Sequence, residues 1–429
     1  MVMGPPVPSH PAKPRRIAFM ETVRGLAAAQ VLLLHFLSAF WPDFVFDSVS
    51  HGLGWYIHLS PLYFLYDGHS AVYIFFVLSG YVLSRSFERH LDHPVALIVA
   101  RAVRLGLPAL AAVLASAALI VIFGKPNVEA GAVSGSEWLA NWPVAELSML
   151  SIVRDGIGNA LFLGYREYSG VAFLSPWQQS IGQSFAPPLW TLSIEFYGSL
   201  TVLLLCWCAR QARSLWWAAV VLATIFTIRS PYLCFVIGHL LANFHRAETP
   251  APQSCVLPVM AVMLGVFLCV RADVWQFEWL RALCDEPAVW LFPGQSPERQ
   301  QKALGAIILL TGLIHLQWAR SALSWPWLVQ LSRLSFPIYL VHWPIVVGPA
   351  ALIFLRLNGM IGLELARLGA TVGGIGMAFA AARLFFPVER CALSVSRRWR
   401  ARLSGLTVKP VLERLAEPTG RANARPDWS

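Results

Sequence analysis

Ten apolar segments divide this 429-residue chain, and their lengths restrict the folds that it can adopt. The segments cover residues 17–40, 71–87, 97–123, 188–209, 214–229, 231–246, 256–271, 302–320, 334–355 and 361–386. A membrane-spanning helix needs about 20 apolar residues, and an isolated strand would leave backbone groups unpaired in lipid. We therefore predict an all-α, polytopic integral membrane protein with about ten transmembrane helices, of which the fifth to seventh are the shortest.

Charged residues are scarce, and the positive ones are concentrated in particular connections. Only 13% of the residues are charged, whereas about 25% is usual in soluble domains. If the N-terminus is cytosolic, basic residues fall in the even-numbered connections and the C-terminal tail, while the connections 124–187 and 272–301 are net acidic. Because positive loops stay in the cytosol, we predict two cytosolic termini. The net charge of +10 then reflects topology rather than nucleic-acid binding, and the arginine-rich tail is expected to contact anionic membrane lipids.

The chain divides into a membrane body and two tails. Residues 1–16 are proline-rich and basic and lead into an apolar segment without a cleavage site, so we predict a cytosolic tail and an uncleaved first span. Residues 17–390 form the membrane body, with 124–187 as an extracytoplasmic loop, and residues 391–429 form a basic cytosolic tail. The seven cysteines include no CxxC motif and no histidine-spaced cluster, so neither a disulfide framework nor a metal site is expected.

The first apolar segment carries an ionisable residue near each end. Arg24 and His35 are eleven residues apart, so on a helix they differ by about 20° in direction and stand roughly 16 Å apart along the axis. One interpretation is that Arg24 extends to the inner surface and His35 hydrogen-bonds a neighbouring helix. The other is that both line one internal, partly hydrated passage, because intramembrane ionisable groups usually mark such passages.

Polar residues of the segment 188–209 fall at the depth of His35. This segment enters from the outside, which places Glu195 level with His35, with Trp190 and Ser193 nearby. A carboxylate beside a histidine fixes the tautomer of the imidazole and stabilises the imidazolium. The sequence therefore predicts an outer layer in which His35 is a general base and Glu195 its counter-charge.

A second set of polar residues falls at the depth of Arg24. The segment 334–355 enters from the cytosol, and the stretch RAVRLGLP places two arginines where the third segment begins. Arginines at a cytosolic mouth suit a phosphorylated ligand. The predicted inner layer consists of Arg24, Tyr339 and His342, with Ser335 near its mouth and Arg101 and Arg104 below it.

Five motifs in order along the chain resemble those of the acyltransferase-3 family of membrane proteins. The stretch RIAFMETVRGLAAAQVLLLH is similar to the family's N-terminal segment, with Arg and His eleven residues apart, and IFFVLSGYVLSRS to its FFxLSG helix. RAVRLGLP resembles the RxxRxxP loop, and LWTLSIEFYGS the W-S-L-x-x-E segment. LSFPIYLVHWP is similar to the S-Y-x-x-Y-L-x-H-x-P motif, although Phe336 replaces the first Tyr. The resemblance covers residues 17 to 390.

The resemblance implies a reaction and an arrangement of substrates. Members of the family move acyl groups, often acetyl, from cytosolic acyl-CoA to hydroxyls of glycans, lipids or small molecules. No tightly bound cofactor is implied, and the expected location is the cell membrane. The donor phosphates would be held by Arg101, Arg104 and Arg85, and the pantetheine arm would pass Arg24, Tyr339 and His342 towards His35.

Other interpretations of the same features stay open at this stage. A secondary transporter would also combine about ten helices with buried charges, although the chain shows no internal repeat. His69, just before the second segment, is either a solvated loop residue or a contact to the acceptor. The loop 124–187 forms either a lid over the acceptor or a cap.

Overall fold

The computed structural model describes residues 15–46, 52–142, 146–168, 171–244, 254–270 and 295–405 of the chain. The N-terminal tail up to residue 14, the residues 271–294 of the acidic connection and the tail beyond 405 lie outside the described residues. Predictions that concern those segments stay predictions.

Helices account for nearly all of the described structure. The principal helices, numbered in chain order, are α1 (Arg15–Phe40), α2 (Gly68–Phe87), α3 (Pro94–Phe123), α4 (Trp190–Gln211), α5 (Arg213–Thr227), α6 (Tyr232–Phe244), α7 (Val256–Val270), α8 (Pro297–His315), α9 (Gln317–Leu323), α10 (Pro326–Ser332), α11 (Ser335–Ile345), α12 (Ala351–Ile361) and α13 (Leu363–Leu403). A π-helical turn, Val346–Ala350, joins α11 to α12. Each of the ten predicted apolar segments contains a helix, which confirms the all-α class.

Six stretches of the described chain are long and apolar enough to cross a membrane, or seven if the bent pair α8 and α9 forms one span. The helices α5, α6 and α7 contain only 13 to 15 residues. At 1.5 Å per residue they extend about 20–23 Å, less than the ~30 Å of the hydrocarbon core. The protein is therefore a multi-pass membrane protein, whereas the count of ten spans and the cytosolic position of both termini stay predictions.

Two glycines allow α2 and α6 to pack with their backbones in contact. A Cβ atom at Gly80 would lie 2.8 Å from Cα of Phe235, and one at Gly238 would lie 2.9 Å from Cα of Gly80. Neither position has room for a larger residue, as is common where membrane helices cross closely. The FFxLSG-like motif therefore supplies a helix contact through its glycine.

The helices α1 and α11 run in parallel and carry most of the predicted site. The guanidinium carbon of Arg24 lies 6.0 Å from the ring centroid of Phe336 near the start of α11, and the His35 and His342 rings meet further along both helices. The 41-residue helix α13 packs along α3, where the hydroxyl of Ser396 donates to the carbonyl of Ala100 at 2.7 Å.

The extramembrane segment 124–187 is folded over its described residues. It contains the helices Pro126–Ser134, Glu137–Ala140 and Met149–Val153, the π-helix Arg154–Leu163, and a single β-bridge between Tyr165 and Gln179. It covers one end of the bundle, and its side chains line a cavity there, as described below.

The folded segment 124–187, which we call the cap, is organised by the buried carboxylate of Asp155. Asp155 accepts hydrogen bonds from the Tyr165 hydroxyl (2.7 Å), the Gln179 amide (3.1 Å), the Ser184 hydroxyl (3.0 Å) and the backbone N–H of Phe185 (2.8 Å). Burial raises the pKa of Asp155, and the hydrogen bonds from Tyr165, Phe185 and Ser184 offset this only in part. Because Asp155 connects the π-helix to residues 179–185, it fixes the chain immediately before α4.

Candidate active site

Two histidines from parallel helices meet near the cap. Nε2 of His342, which is fully buried on α11, lies 3.0 Å from Nδ1 of His35 on α1. The ring centroids are 4.9 Å apart. Each histidine lies about two turns or more from the start of its helix, so the pair lies within the apolar body.

Backbone carbonyls fix which nitrogen carries the proton in each neutral ring. Nδ1 of His342 lies 3.0 Å from the carbonyl of Ile338, and because a carbonyl can only accept, this Nδ1 carries the hydrogen. Nε2 of His342 is then an acceptor for Nδ1–H of His35, which also points to the carbonyl of Val31 at 2.9 Å. Nε2 of His35 therefore keeps its lone pair and is the basic atom of the pair.

His35 borders an open chamber with a volume of about 200 Å³. Its walls are mostly apolar, and the lining includes the aromatic side chains of Trp138, Trp142, Tyr168, Trp190, Tyr339 and Trp343 together with His69. The His35 ring lies 5.7 Å from the Trp138 ring and 5.4 Å from the Trp343 ring. Since a water molecule occupies about 30 Å³ in the liquid, the chamber has room for roughly six waters or a small polar group. It is bounded on one side by the cap, through Trp138, Trp142 and Tyr168.

A charged cluster forms a second part of the site. Arg101, which is 7% exposed, pairs with Glu195 at 2.6 Å, and the hydroxyl of Ser79 donates to the same carboxylate at 3.0 Å. Arg24 and Arg104 lie in the electrostatic range of this pair. The cluster thus combines three arginines from α1 and α3 with Glu195 from α4, and Glu389 of α13 lies in the electrostatic range of Arg24 and Arg104.

Two of these arginines are not neutralised by direct contact. Among the described residues, neither Arg24 nor Arg104 forms a salt bridge or a hydrogen bond from its guanidinium group, and the one π contact of Arg24 is that with Phe336. Arg104 is repelled by Arg24 and Arg101 and attracted by Glu195 and Glu389. The cluster therefore holds unpaired positive charge beside a narrow pocket lined by Arg24, Glu195, Ser335, Phe336 and Tyr339.

Tyr339 lies between the charged pocket and the histidine chamber. Its side chain lines both cavities, as does that of Val72. The Tyr339 hydroxyl makes a 2.7 Å hydrogen bond with the hydroxyl of Thr191 and donates to the carbonyl of Pro188. These bonds hold α11 against the beginning of α4, so they anchor one of the two side chains that the cavities share.

A family model described as an acyltransferase domain, that of the acyltransferase-3 family, matches residues 17–385. The chain belongs to this acyltransferase family. No curated protein and no solved structure gives a significant match to the chain. The match covers nearly the whole membrane body that the motifs outlined, which confirms the resemblance seen in the sequence.

Two predicted pairings in this acyltransferase were wrong. Glu195 was expected beside His35, but its carboxylate contacts Arg101 and Ser79, and the group that contacts Nδ1 of His35 is His342. His342 in turn was expected level with Arg24. The depth of a residue was inferred from the ends of its own segment, but the contacts between helices depend on their relative height and rotation. Phe336, six residues before His342, is the residue of α11 that reaches Arg24.

The arginines of RAVRLGLP lie within a helix and not in a connection, whereas their position at the cytosolic mouth stays a prediction. They were placed in a connection at the cytosolic mouth, but α3 begins at Pro94, so Arg101 and Arg104 are seven and ten residues inside a continuous helix. This position, about 10–15 Å along the helix, explains why Arg101 is buried and needs the counter-charge of Glu195. Arg85 is 40% exposed and approaches Glu88 at 3.9 Å rather than joining the cluster.

The secondary candidates divide between the chamber and helix packing. Trp190 lines the chamber and stacks on Tyr168 with 4.2 Å between ring centroids. Ser335 lines the charged pocket. Ser193 is buried and donates to the carbonyl of Trp190 at 3.1 Å, so its hydroxyl is used within α4. The cap tryptophans, which line the chamber, were not among the predicted site residues. His69, for which the sequence left a solvated loop residue and a contact to the acceptor as alternatives, lines the chamber as well.

Proposed function

We propose that this protein is an integral-membrane O-acyltransferase that moves an acyl group, such as acetyl, from cytosolic acyl-CoA to a hydroxyl of a surface glycan, a lipid or a small molecule. The observation that carries the proposal is the chamber, which is lined by His35 and shares Tyr339 and Val72 with the pocket that is lined by the unpaired Arg24. A base at one end and cations at the other fit a long thioester donor that carries phosphates.

The charged cluster supports a phosphorylated donor. Arg24 and Arg104 have no ion partner among the described residues, and unpaired cations are costly in the apolar part of a membrane protein. Phosphate oxygens are strong acceptors for the planar guanidinium group. Because Glu195 already neutralises Arg101, we assign the donor phosphates to Arg24 and Arg104, and we assign to the Arg101–Glu195 pair the role of fixing α3 against α4.

The chemical step follows from the tautomers. Nε2 of His35 accepts the proton of the acceptor hydroxyl while the oxygen attacks the thioester carbonyl carbon. The new C–O bond forms, the C–S bond breaks, and the thiolate of CoA takes the proton from Nε2 of His35, so that the neutral base is restored. While His35 carries this proton, its imidazolium is stabilised by the lone pair of His342 and the carbonyl of Val31. In this scheme His342 takes the role that the sequence assigned to Glu195.

The test uses inside-out membrane vesicles from cells with the gene and from cells in which it has been deleted. Acetyl-CoA labelled with ¹⁴C in the acetyl group is added on the cytosolic face, and ester-bound label is measured in the glycan and lipid fractions, with mass spectrometry to identify the acetylated species. We expect gene-dependent acetyl esters that alkali releases as acetate. Equal labelling in both sets of vesicles would overturn the proposed function.

A further inference from the structure

One further titratable side chain of the chamber has no role in the scheme above. His69 is exposed towards the chamber, lines it together with His35, and lies in the electrostatic range of His35. Among the described residues, its ring makes no hydrogen bond, whereas its backbone N–H donates to the carboxylate of Asp67. A histidine ring offers one donor and one acceptor when neutral, so His69 brings free hydrogen-bonding capacity to a largely apolar wall.

The position of His69 relative to the base is set by the preceding glycine. A Cβ atom at Gly68 would lie 2.8 Å from Cδ2 of Leu34 and 3.1 Å from Cα of Val31. The beginning of α2 therefore touches α1 one turn before His35, at the residue whose carbonyl holds Nδ1 of His35. Because Gly68 is in direct contact with that turn of α1, the next residue, His69, is held at a fixed position along α1 beside His35.

A buried ion pair holds the first turn of α2 in this place. Lys302 donates to the carboxylate of Asp67 at 2.9 Å and to the carbonyl of Cys269 at 2.9 Å. The other oxygen of Asp67 accepts from the backbone N–H groups of His69 (3.2 Å) and Ser70 (3.4 Å). Both charged side chains are at most 4% exposed. Burying two charges is expensive, and here the carboxylate also accepts from the Ser70 hydroxyl, so its contacts together hold the backbone that carries His69.

We infer that His69 is the acceptor-binding residue, which hydrogen-bonds an oxygen next to the reacting hydroxyl while His35 removes the proton. This inference rests on the proposed function. It deepens that function by requiring an acceptor with a second oxygen within hydrogen-bonding reach of the acylated position. When water attacks the thioester in place of the acceptor, the reaction requires only the base His35 and does not need His69. His69 should therefore control the partition of the acyl group between acceptor and water, and not the rate of thioester cleavage.

The experiment measures this partition in the same inside-out vesicles. Vesicles from the deletion strain, carrying each variant at equal protein level, receive ¹⁴C-acetyl-CoA, and acetyl ester in glycans and lipids is compared with free acetate after subtraction of the His35→Ala background. The variants are His69→Phe, which keeps an aromatic wall, and His69→Gln, which keeps a donor and an acceptor. The matched control is His93→Phe, an exposed histidine before α3.

We expect the ester-to-acetate ratio to fall at least about tenfold in His69→Phe, the loss typical of one hydrogen bond to a charged or polarised group, and to stay within about threefold of wild type in His69→Gln. His93→Phe should leave the ratio unchanged. An unchanged ratio in His69→Phe, or an equal loss of ester and acetate in both His69 variants, would overturn the role of His69 while leaving the proposed function intact. A wild type that forms neither product beyond the His35→Ala background would overturn both.

Discussion

Replacing His342 separates two explanations of its role. If His342 binds the donor, as the sequence suggested, its loss should weaken acyl-CoA binding. If it orients and stabilises His35, as the 3.0 Å contact between Nε2 of His342 and Nδ1 of His35 indicates, its loss should slow the chemical step. In His342→Phe the imidazolium of His35 would keep only the carbonyl of Val31 as a partner.

The size of this effect follows from the bond that is lost. A hydrogen bond to a charged group contributes about 1.5–3 kcal/mol, so the maximal rate should fall roughly 10- to 150-fold. The acyl-CoA concentration at half-maximal rate should change less than about threefold, because His342 does not contact the arginine cluster. His342→Gln, whose amide oxygen can accept from Nδ1–H of His35, should recover part of the rate.

The measurement is the rate of acetyl-CoA consumption by purified protein in lipid nanodiscs over a range of donor concentrations. His239→Gln is the control, because it removes another buried histidine, one that is hydrogen-bonded to Ser84 and Trp216. A His342→Phe protein with normal maximal rate and weakened donor affinity would refute the tautomer argument and return His342 to the donor site.

Three further predictions concern the charges and the topology. Glu195→Gln should lower the free energy of unfolding by about 3–5 kcal/mol, because its buried arginine partner loses its counter-charge; calorimetric stability equal to wild type would show that the pair is not a structural one. Arg104→Ala should weaken the binding of a non-hydrolysable acyl-CoA analogue about ten- to a hundredfold by titration calorimetry, and Arg210→Ala, which removes a surface ion pair, should not. A reporter fused after residue 150 should lie outside the cell and one at residue 429 in the cytosol, as the charge distribution requires, and a tail found outside would reverse the direction of transfer.

The sequence predicted helices well because membrane insertion depends on local composition. Each apolar segment formed a helix, since a chain in lipid must satisfy its backbone hydrogen bonds within the segment. The points at which these helices are interrupted were harder to predict from the sequence. The segment 334–355 contains a π-helical turn around Pro349, and the last segment is separated from α12 by Gly362, whose φ of +83° suits glycine. Such breaks depend on how neighbouring helices pack.

The site was predicted by residue type but not by contact. Periodicity along one helix placed Arg24 and His35 on a common face, and each borders one of the two neighbouring cavities. No property of a single segment indicates that His342 meets His35 or that Arg101 meets Glu195, because these contacts depend on how the helices are shifted and rotated against each other. The same limit applies to the cap residues, which reach the chamber only through the folding of 124–187.

The central claim is that Nε2 of His35 is the base for acyl transfer. The most direct measurement is ¹⁴C-acetyl transfer in inside-out vesicles that carry His35→Ala, together with acyl-CoA affinity and the amount of inserted protein. We predict a loss of about 10²- to 10⁴-fold in the rate of transfer, with normal insertion and an acyl-CoA affinity within a few-fold of wild type. A His35→Ala protein that transfers acetyl groups within a few-fold of the wild-type rate would contradict the account.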